Sequence, residues 1–378
     1  MNVGISATKI RGGQSGVGRY VVGLVRAMLA ERPDIKLHLF VLPGDQELFE
    51  FVWNKPEIIT VSEKYRSPIR NVLWHQRVLP REAERLGLDL IHTTSYRRMT
   101  WSPDIPVVGT IHDLISFHDP RKSNLAQKLF SHLSAAPLAK RQRRIITGSN
   151  KTAEDIERFL DIPTRAIEVI PKGIDHSIYN PGDPATSRAL LAKTHGILRP
   201  FFLYVSRLDH PRRNHLRLIE AFELFKRNTS SRWQLLLGGD DGNNAEVIHQ
   251  RVADSKYKDD IHFFGYVADD DLPDLYRAAR AFVFPSLFEG FGQPPLEAMA
   301  CGCPVISSRA GSLGRVLGVA ATTIDPLNVD DIAEKLSIIA TDDGTREVMI
   351  ERGIANAARF DWNKCAREVA RVYDEVTS

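Results

Sequence analysis

Phe284-Pro285-Ser286-Leu287-Phe288-Glu289-Gly290-Phe291-Gly292-Gln293-Pro294-Pro295-Leu296-Glu297-Ala298-Met299-Ala300-Cys301-Gly302-Cys303-Pro304-Val305-Ile306 lays out a compact structural unit. The apolar run at its start predicts a strand over 281–285 that ends by Ser286. Gly290 and Gly292 predict a turn with accessible backbone amides, and Pro294-Pro295 start a helix. A further strand over 304–307 follows. Strand, turn, helix and strand in that order make one step of a parallel sheet with helices on its faces. Glu289 falls in the turn. Glu297 falls inside the helix and is read as exposed. Carboxylates accept well from paired vicinal hydroxyls, as on a sugar or a ribose. The positive end of the helix favours a phosphate beside them.

The same alternation extends in both directions. Candidate strands are 2–6, 36–41, 58–61, 88–92, 106–111, 144–148 and 166–170, then 201–206, 233–238, 261–265 and 320–324. Between the first two, Val17, Tyr20, Val21, Leu24, Val25, Met28 and Leu29 form one apolar helical stripe. A second stripe runs through Leu216, Ile219, Phe222 and Phe225, with Asn214 as its expected N-cap. The series is interrupted over 171–185 by Pro171, Gly173, Pro181, Gly182 and Pro184, read as a linker, followed by a short helix over 186–195. The expectation is an α/β protein of two Rossmann-like, doubly wound domains facing across a cleft. Ligands of such sheets bind at the carboxyl ends of the strands.

Composition narrows the class. The chain has 378 residues, 43% apolar and 26% charged, which suits two soluble globular domains. No uncharged apolar run approaches the roughly 18 residues of a spanning helix, and the start lacks a signal-peptide pattern. Cys301, Cys303 and Cys365 are too few for a disulfide framework and lack zinc spacing, so a reducing compartment is expected. Residues 1–175 hold 26 Lys/Arg and 19 Asp/Glu, net +7, and the remainder is net −4. A basic first half either meets an anionic surface or is simply a solvated face.

Several other positions carry chemistry. The first strand–helix turn reads Arg11-Gly12-Gly13-Gln14-Ser15-Gly16-Val17-Gly18. Gly12 and Gly13 make either a tight turn or an anion site. The third glycine of a dinucleotide fingerprint is missing, and the second strand ends at Val41-Leu42-Pro43 without an acid placed to hold a ribose, so a nicotinamide cofactor is not expected. His112, with Asp113, ends the run 107–111. It either donates to a sugar hydroxyl or phosphate, or bonds a loop. Arg207 follows the strand 201–206, and Arg213 precedes the next helix. Two such cations either clamp a diphosphate or pair with Asp209. Asp240-Asp241 is read as an ordinary loop, and no Asp-x-Asp metal motif is present.

The block Phe288-Glu289-Gly290-Phe291-Gly292-x-Pro-x-x-Glu297-Ala-Met-Ala-x-Gly-x-Pro-Val-Ile resembles the retaining glycosyltransferases of family 4, which have the GT-B fold. Nearly the whole chain shares in the resemblance. It includes Gly12-Gly13, Thr110-Ile111-His112-Asp113-Leu114, Ile170-Pro171-Lys172-Gly173-Ile174-Asp175, Ser206-Arg207-Leu208, Phe264-Gly265-Tyr266-Val267 and Phe360-Asp361-Trp362. The style of Ser15-Gly16-Val17-Gly18-Arg19-Tyr20 is similar to bacterial mannosyl- and rhamnosyltransferases of polysaccharide assembly.

The resemblance implies an acceptor-binding domain over 1–175, completed by a final helix over 362–378, and a donor-binding domain over 176–361. It implies that Glu297 holds the nucleotide ribose and that Glu289 meets the donor sugar, with the amides of Gly290, Phe291 and Gly292. Arg207 and Arg213 would bind the diphosphate, and His112 the sugar or a phosphate. Tyr266 and Val267 would touch the base, whose identity they leave open. Gly12 and Gly13 would let the first loop approach the phosphates. The implied function is retaining transfer of a hexose (mannose, rhamnose or glucose) from a nucleoside-diphosphate sugar to a glycan or lipid-linked acceptor. No cofactor, metal or nucleic acid is expected. The expected place is the cytoplasm, with peripheral contact at an anionic membrane.

Two positions depart from the family pattern. Arg213 stands where Lys is usual, and Gln293 where an apolar residue is common. Alternative readings are an epimerase or free-disaccharide synthase of the same fold, or an inactive nucleotide-sugar-binding subunit.

Overall fold

The computed structural model describes residues 1–10, 12–13, 15–50, 57–118 and 135–378. The chain divides into two compact units, one of Met1–Gly173 with Phe360–Ser378 and one of Ile174–Arg359.

The first unit holds a seven-stranded sheet of β1 (Asn2–Ser6), β2 (Lys36–Val41), β3 (Glu57–Thr60), β4 (Leu90–Thr93), β5 (Val107–Ile111), β6 (Arg144–Thr147) and β7 (Ile167–Val169). All neighbours are parallel, in the order β3-β2-β1-β4-β5-β6-β7. The reversal of order lies beside β1, whose Val3 sits between Leu37 and Leu90. The helix Gly16–Glu31 starts where Ser15 accepts from the Gly18 amide. Its Val21, Leu24, Val25 and Met28 are buried with Val3 and Ile5 and with Val369, Val372 and Tyr373 of the last helix, Trp362–Thr377. Each such aliphatic side chain contributes about 1.5–3 kcal/mol.

The second unit holds β8 (Phe201–Val205), β9 (Gln234–Gly238), β10 (Ile261–Gly265), β11 (Ala281–Phe284), β12 (Val305–Ser308) and β13 (Thr322–Ile324). The order is β10-β9-β8-β11-β12-β13, again parallel throughout. Phe201-Phe202-Leu203-Tyr204 and Leu235-Leu236-Leu237 are apolar without alternation, because helices cover both faces of this sheet. The expected α/β architecture of two doubly wound sheets is therefore present.

Three local readings are corrected. The helix after the linker begins at Pro184, capped by Asp183, rather than at Thr186. The strand before the glycine turn ends at Phe284, short of Ser286. Asn214 stands at the N-cap position of the helix His215–Thr229 but does not cap it. Its φ is +63°, and its amide instead donates to the Pro285 and Pro326 carbonyls at 3.1 and 2.6 Å.

Candidate active site

In the second unit the site grows from two strand ends that lie side by side. β8 and β11 pair through Phe202 and Ala281, so the loops leaving them meet at one edge of the sheet. Asn214 fastens those loops together through Pro285. The Leu287 amide adds a 2.9 Å bond to the Arg212 carbonyl.

That frame brings Arg213 onto Glu289 as an ion pair. Arg213 also lies over the Phe284 ring, 5.5 Å from its centroid. The Ser286 hydroxyl donates to Glu289 Oε1 at 2.7 Å. Arg212 binds Asp209 instead, with its Nε 2.9 Å from Oδ2, and its Nη1 stands 3.7 Å from Glu289. The two arginines thus divide two carboxylates between them: the pairing with Asp209 weighed for Arg207 and Arg213 falls to Arg212. Arg207 is exposed after β8 and makes no ion pair among the described residues.

The glycine turn is held from behind. The Ser312 amide and hydroxyl donate to the Glu289 and Gly290 carbonyls at 2.9 and 2.7 Å. Gly311, at φ +63°, passes so close that a Cβ there would sit 2.2 Å from the Glu289 carbonyl oxygen. Gly292 (φ +100°) precedes the helix Gln293–Ala300, and Phe291 is buried. Glu297 on that helix is 2% exposed, which corrects its reading as a surface residue. The helix is covered all round, with Pro295, Leu296, Ala298, Met299 and Ala300 buried beside it. After β10, Tyr266 is 45% exposed whereas Val267 is buried.

The first unit gathers a second group. His112 follows β5, and its ring meets Tyr20 edge-on at 4.8 Å. Burial, then the neighbouring Lys172 charge, lowers its pKa well below the ordinary histidine value. Lys172 lies 5.8 Å from the Tyr20 centroid. Burial lowers its pKa to about 8, against the opposing pull of Asp113. Behind them, His92 bridges Tyr373 and Thr110 at 2.6 and 2.7 Å. Gly12 and Gly13 have φ of +63° and +77°, and the Gly12 amide donates to Asp45 at 2.7 Å. Arg11 and Gln14 of that turn lie outside the described residues.

Sequence reasoning missed Ser286, Tyr20 and the Arg212–Asp209 pair. Tyr20 falls on the apolar stripe of its helix and carried no separate signal. Ser286 was read only as a strand end. Among the described residues, no His, Cys, Asp and Glu are grouped as metal ligands.

Two doubly wound parallel sheets, with charged groups gathered at strand ends, are the architecture that binds ligands at the carboxyl ends of its strands. A model described as Glycosyltransferase Family 4 matches residues 14–178, and one described as Glycosyl transferases group 1 matches 193–356. The chain is similar to the O-antigen chain mannosyltransferase B of Escherichia coli, 32% identical with 95% of this chain and 96% of that one aligned. A D-inositol 3-phosphate glycosyltransferase of Kribbella flavida is 28% identical over 72% of this chain and 66% of that one. Among solved structures, Anabaena HepE with UDP and glucose matches at TM-score 0.79 and 19% identity, covering 99% of this chain and 100% of that one. The chain belongs to glycosyltransferase family 4, and it is a glycosyltransferase.

Proposed function

We propose that the chain transfers a hexosyl group of the mannosyl type from a nucleoside-diphosphate sugar to a glycan or lipid-linked glycan, with retention and without metal or other cofactor. The observation that carries this is the Arg213–Glu289 pair, set beside an amide-lined turn at the ends of β8 and β11. The E. coli O-antigen chain mannosyltransferase B supports the mannosyl type.

In this reading the second unit takes the donor. Glu297 accepts from the ribose hydroxyls, Tyr266 and Val267 border the base, and Glu289 with the amides of Gly290, Phe291 and Gly292 orients the sugar. The bond from the anomeric carbon to the β-phosphate oxygen breaks, and negative charge grows on that phosphate. Arg207 and Arg213 offset it, which is electrostatic preorganisation. The acceptor hydroxyl forms the new bond from the same face, and its proton passes to the leaving phosphate. The first unit takes the acceptor. Its neutral His112 donates a hydrogen bond to sugar or phosphate without adding charge, and Gly12 and Gly13 leave room for the phosphates.

Peripheral contact with an anionic membrane is part of the same reading. Ile69 and Leu73, one turn apart on the helix Pro68–Arg77, are 77% and 45% exposed. Arg66, Arg70 and Arg77 stand exposed around them. Apolar residues with flanking cations are what an interfacial helix presents. No described helix is long and apolar enough to cross a membrane.

The test is a thermal-shift panel of GDP, UDP, dTDP and ADP, followed by turnover of the matching mannosyl donor in excess EDTA. One nucleotide should stabilise the protein, turnover should persist, and NMR should show the donor's anomeric configuration in the product. Loss of turnover in EDTA with recovery in magnesium or manganese, or an inverted product, would overturn the reading.

A further inference from the structure

Arg98 lies just beyond β4 in the first unit and is 6% exposed. A guanidinium has five N–H donors. Here Nε donates to Asn71 Oδ1 at 2.6 Å and Nη1 to the Arg97 carbonyl at 2.9 Å. Both acceptors are neutral, and among the described residues no carboxylate pairs with Arg98. A buried cation without a counter-charge is costly, and folded proteins seldom keep one without a use.

Its surroundings sharpen the point. Asn71 is held by its own amide, which donates to the Tyr65 carbonyl at 3.1 Å, and it also accepts from Thr8 at 3.4 Å. One turn along the same helix, His75 Nδ1 meets the Asn71 carbonyl and Nε2 meets Ser6 Oγ, each at 2.7 Å. Ser6 ends β1 and pairs with Thr93 at the end of β4. Arg98 is therefore fixed at the carboxyl edge of the sheet, beside the order reversal at β1, where α/β sheets bind ligands. The charges acting there are cations: Arg97 on Arg98, and Arg98 with Lys9 on His75. Burial, then Arg97, lowers the Arg98 pKa to about 10, so it stays charged at neutral pH.

We propose that Arg98 anchors an anionic phosphate group of the acceptor, a phosphate ester or diphosphate, at the carboxyl edge of the first unit's sheet. The planar fork suits phosphate oxygens, and an incoming anion supplies the counter-charge that no described residue gives. The helix that bears Asn71 exposes Ile69 and Leu73 elsewhere on its surface, which suits a phosphate carried on a lipid. The assignment of an acceptor to this unit rests on the function proposed above.

The test uses the full chain with its donor site filled by the nucleotide from the thermal panel. Farnesyl diphosphate, farnesol and inorganic pyrophosphate are titrated by calorimetry. Farnesyl diphosphate should bind at least about tenfold tighter than farnesol, the effect of one charge-assisted hydrogen bond or more. Arg98→Gln should abolish that preference and leave nucleotide affinity within about twofold. Arg98→Lys keeps the charge but loses the fork, and should weaken diphosphate binding several-fold. Pyrophosphate separates the sources: affinity equal to farnesyl diphosphate assigns a free anion, and weaker displacement assigns a lipid headgroup. No preference for diphosphate in the parent protein, or a preference unchanged in Arg98→Gln, overturns the proposal. If Arg98→Gln does not fold, parental affinity in Arg98→Lys overturns it. Failure of all four nucleotides to bind would sink the donor reading and leave the farnesyl diphosphate comparison standing by itself.

Discussion

Arg213 and Glu289 hold each other's charge, and this alters what a substitution at either one does. If Arg213 reaches the β-phosphate as the bond breaks, its loss weakens the transition state more than the ground state. Arg213→Ala should lower kcat on the order of 10²–10³-fold while nucleotide affinity falls much less. Arg213→Lys should restore much of the rate. Arg212, whose Nη1 is 3.7 Å from Glu289, is placed to take over that carboxylate. A larger loss from Arg212→Ala than from Arg213→Ala, in steady-state kinetics, would shift the phosphate contact by one residue. Glu297 needs gentler treatment because it is buried. Glu297→Gln keeps the volume and removes the charge, and should weaken nucleotide binding about tenfold. Unchanged calorimetric affinity would remove Glu297 from the ribose. The spacing of the two glutamates was legible in sequence, but the burial of Glu297 was not. It depends on how completely the rest of the unit covers one short helix.

Elements show where sequence patterns suffice and where they do not. The central strands were legible because a parallel sheet covered on both faces needs unbroken apolar runs such as 201–204 and 235–237. The role of Asn214 was not, since an Asn before a helix signals a cap by its chemistry. Only the approach of Pro285 and Pro326 turns its amide elsewhere. Likewise, His75 and His92 gave no signal, yet they tie elements together. His75 joins the helix Pro68–Arg77 to β1, and His92 joins β4 to β5 and the last helix. Burial lowers the pKa of both to about 3, and that of His112 well below normal. The unfolded chain takes up protons near pH 6.5, while these folded sites do not. Their contribution to stability is complete above pH 6.5 and declines as pH falls toward the folded values. Each should cost about 1.4 kcal/mol per pH unit within that window. These three lie in the first unit, whereas in the second unit burial lowers the pKa of one further histidine, His215, to about 3. Urea unfolding should show a marked loss of stability between pH 7 and 5, and hydrogen exchange should place most of it in residues 1–173. Stability flat across that range would show that these histidines titrate normally.

At the scale of the whole molecule, charge separates the two units as it separates the two halves of the sequence. The first unit, with its returning helix, holds 29 Lys/Arg and 22 Asp/Glu, net +7, which leaves the second at −4. Part of the positive charge is spent locally. Arg66 pairs with Glu63, Arg85 with Glu82 and Lys140 with Asp161. Arg70, Arg77 and Arg81 remain exposed on and after the helix that also exposes Ile69 and Leu73. Juxtamembrane cations contribute about 1 kcal/mol each at an anionic surface and are screened beyond about 10 Å at 0.1 M salt. The protein should therefore co-sediment with phosphatidylserine vesicles at low salt, bind phosphatidylcholine vesicles weakly, and lose most of the difference in 0.5 M salt. The apolar pair adds a term that salt does not screen. Ile69→Asp with Leu73→Asp should lower binding at every salt concentration, whereas Arg70→Gln with Arg77→Gln should lower it mainly at low salt. Equal and negligible sedimentation with both vesicle types would remove the membrane from the proposed function and point to an acceptor met in solution.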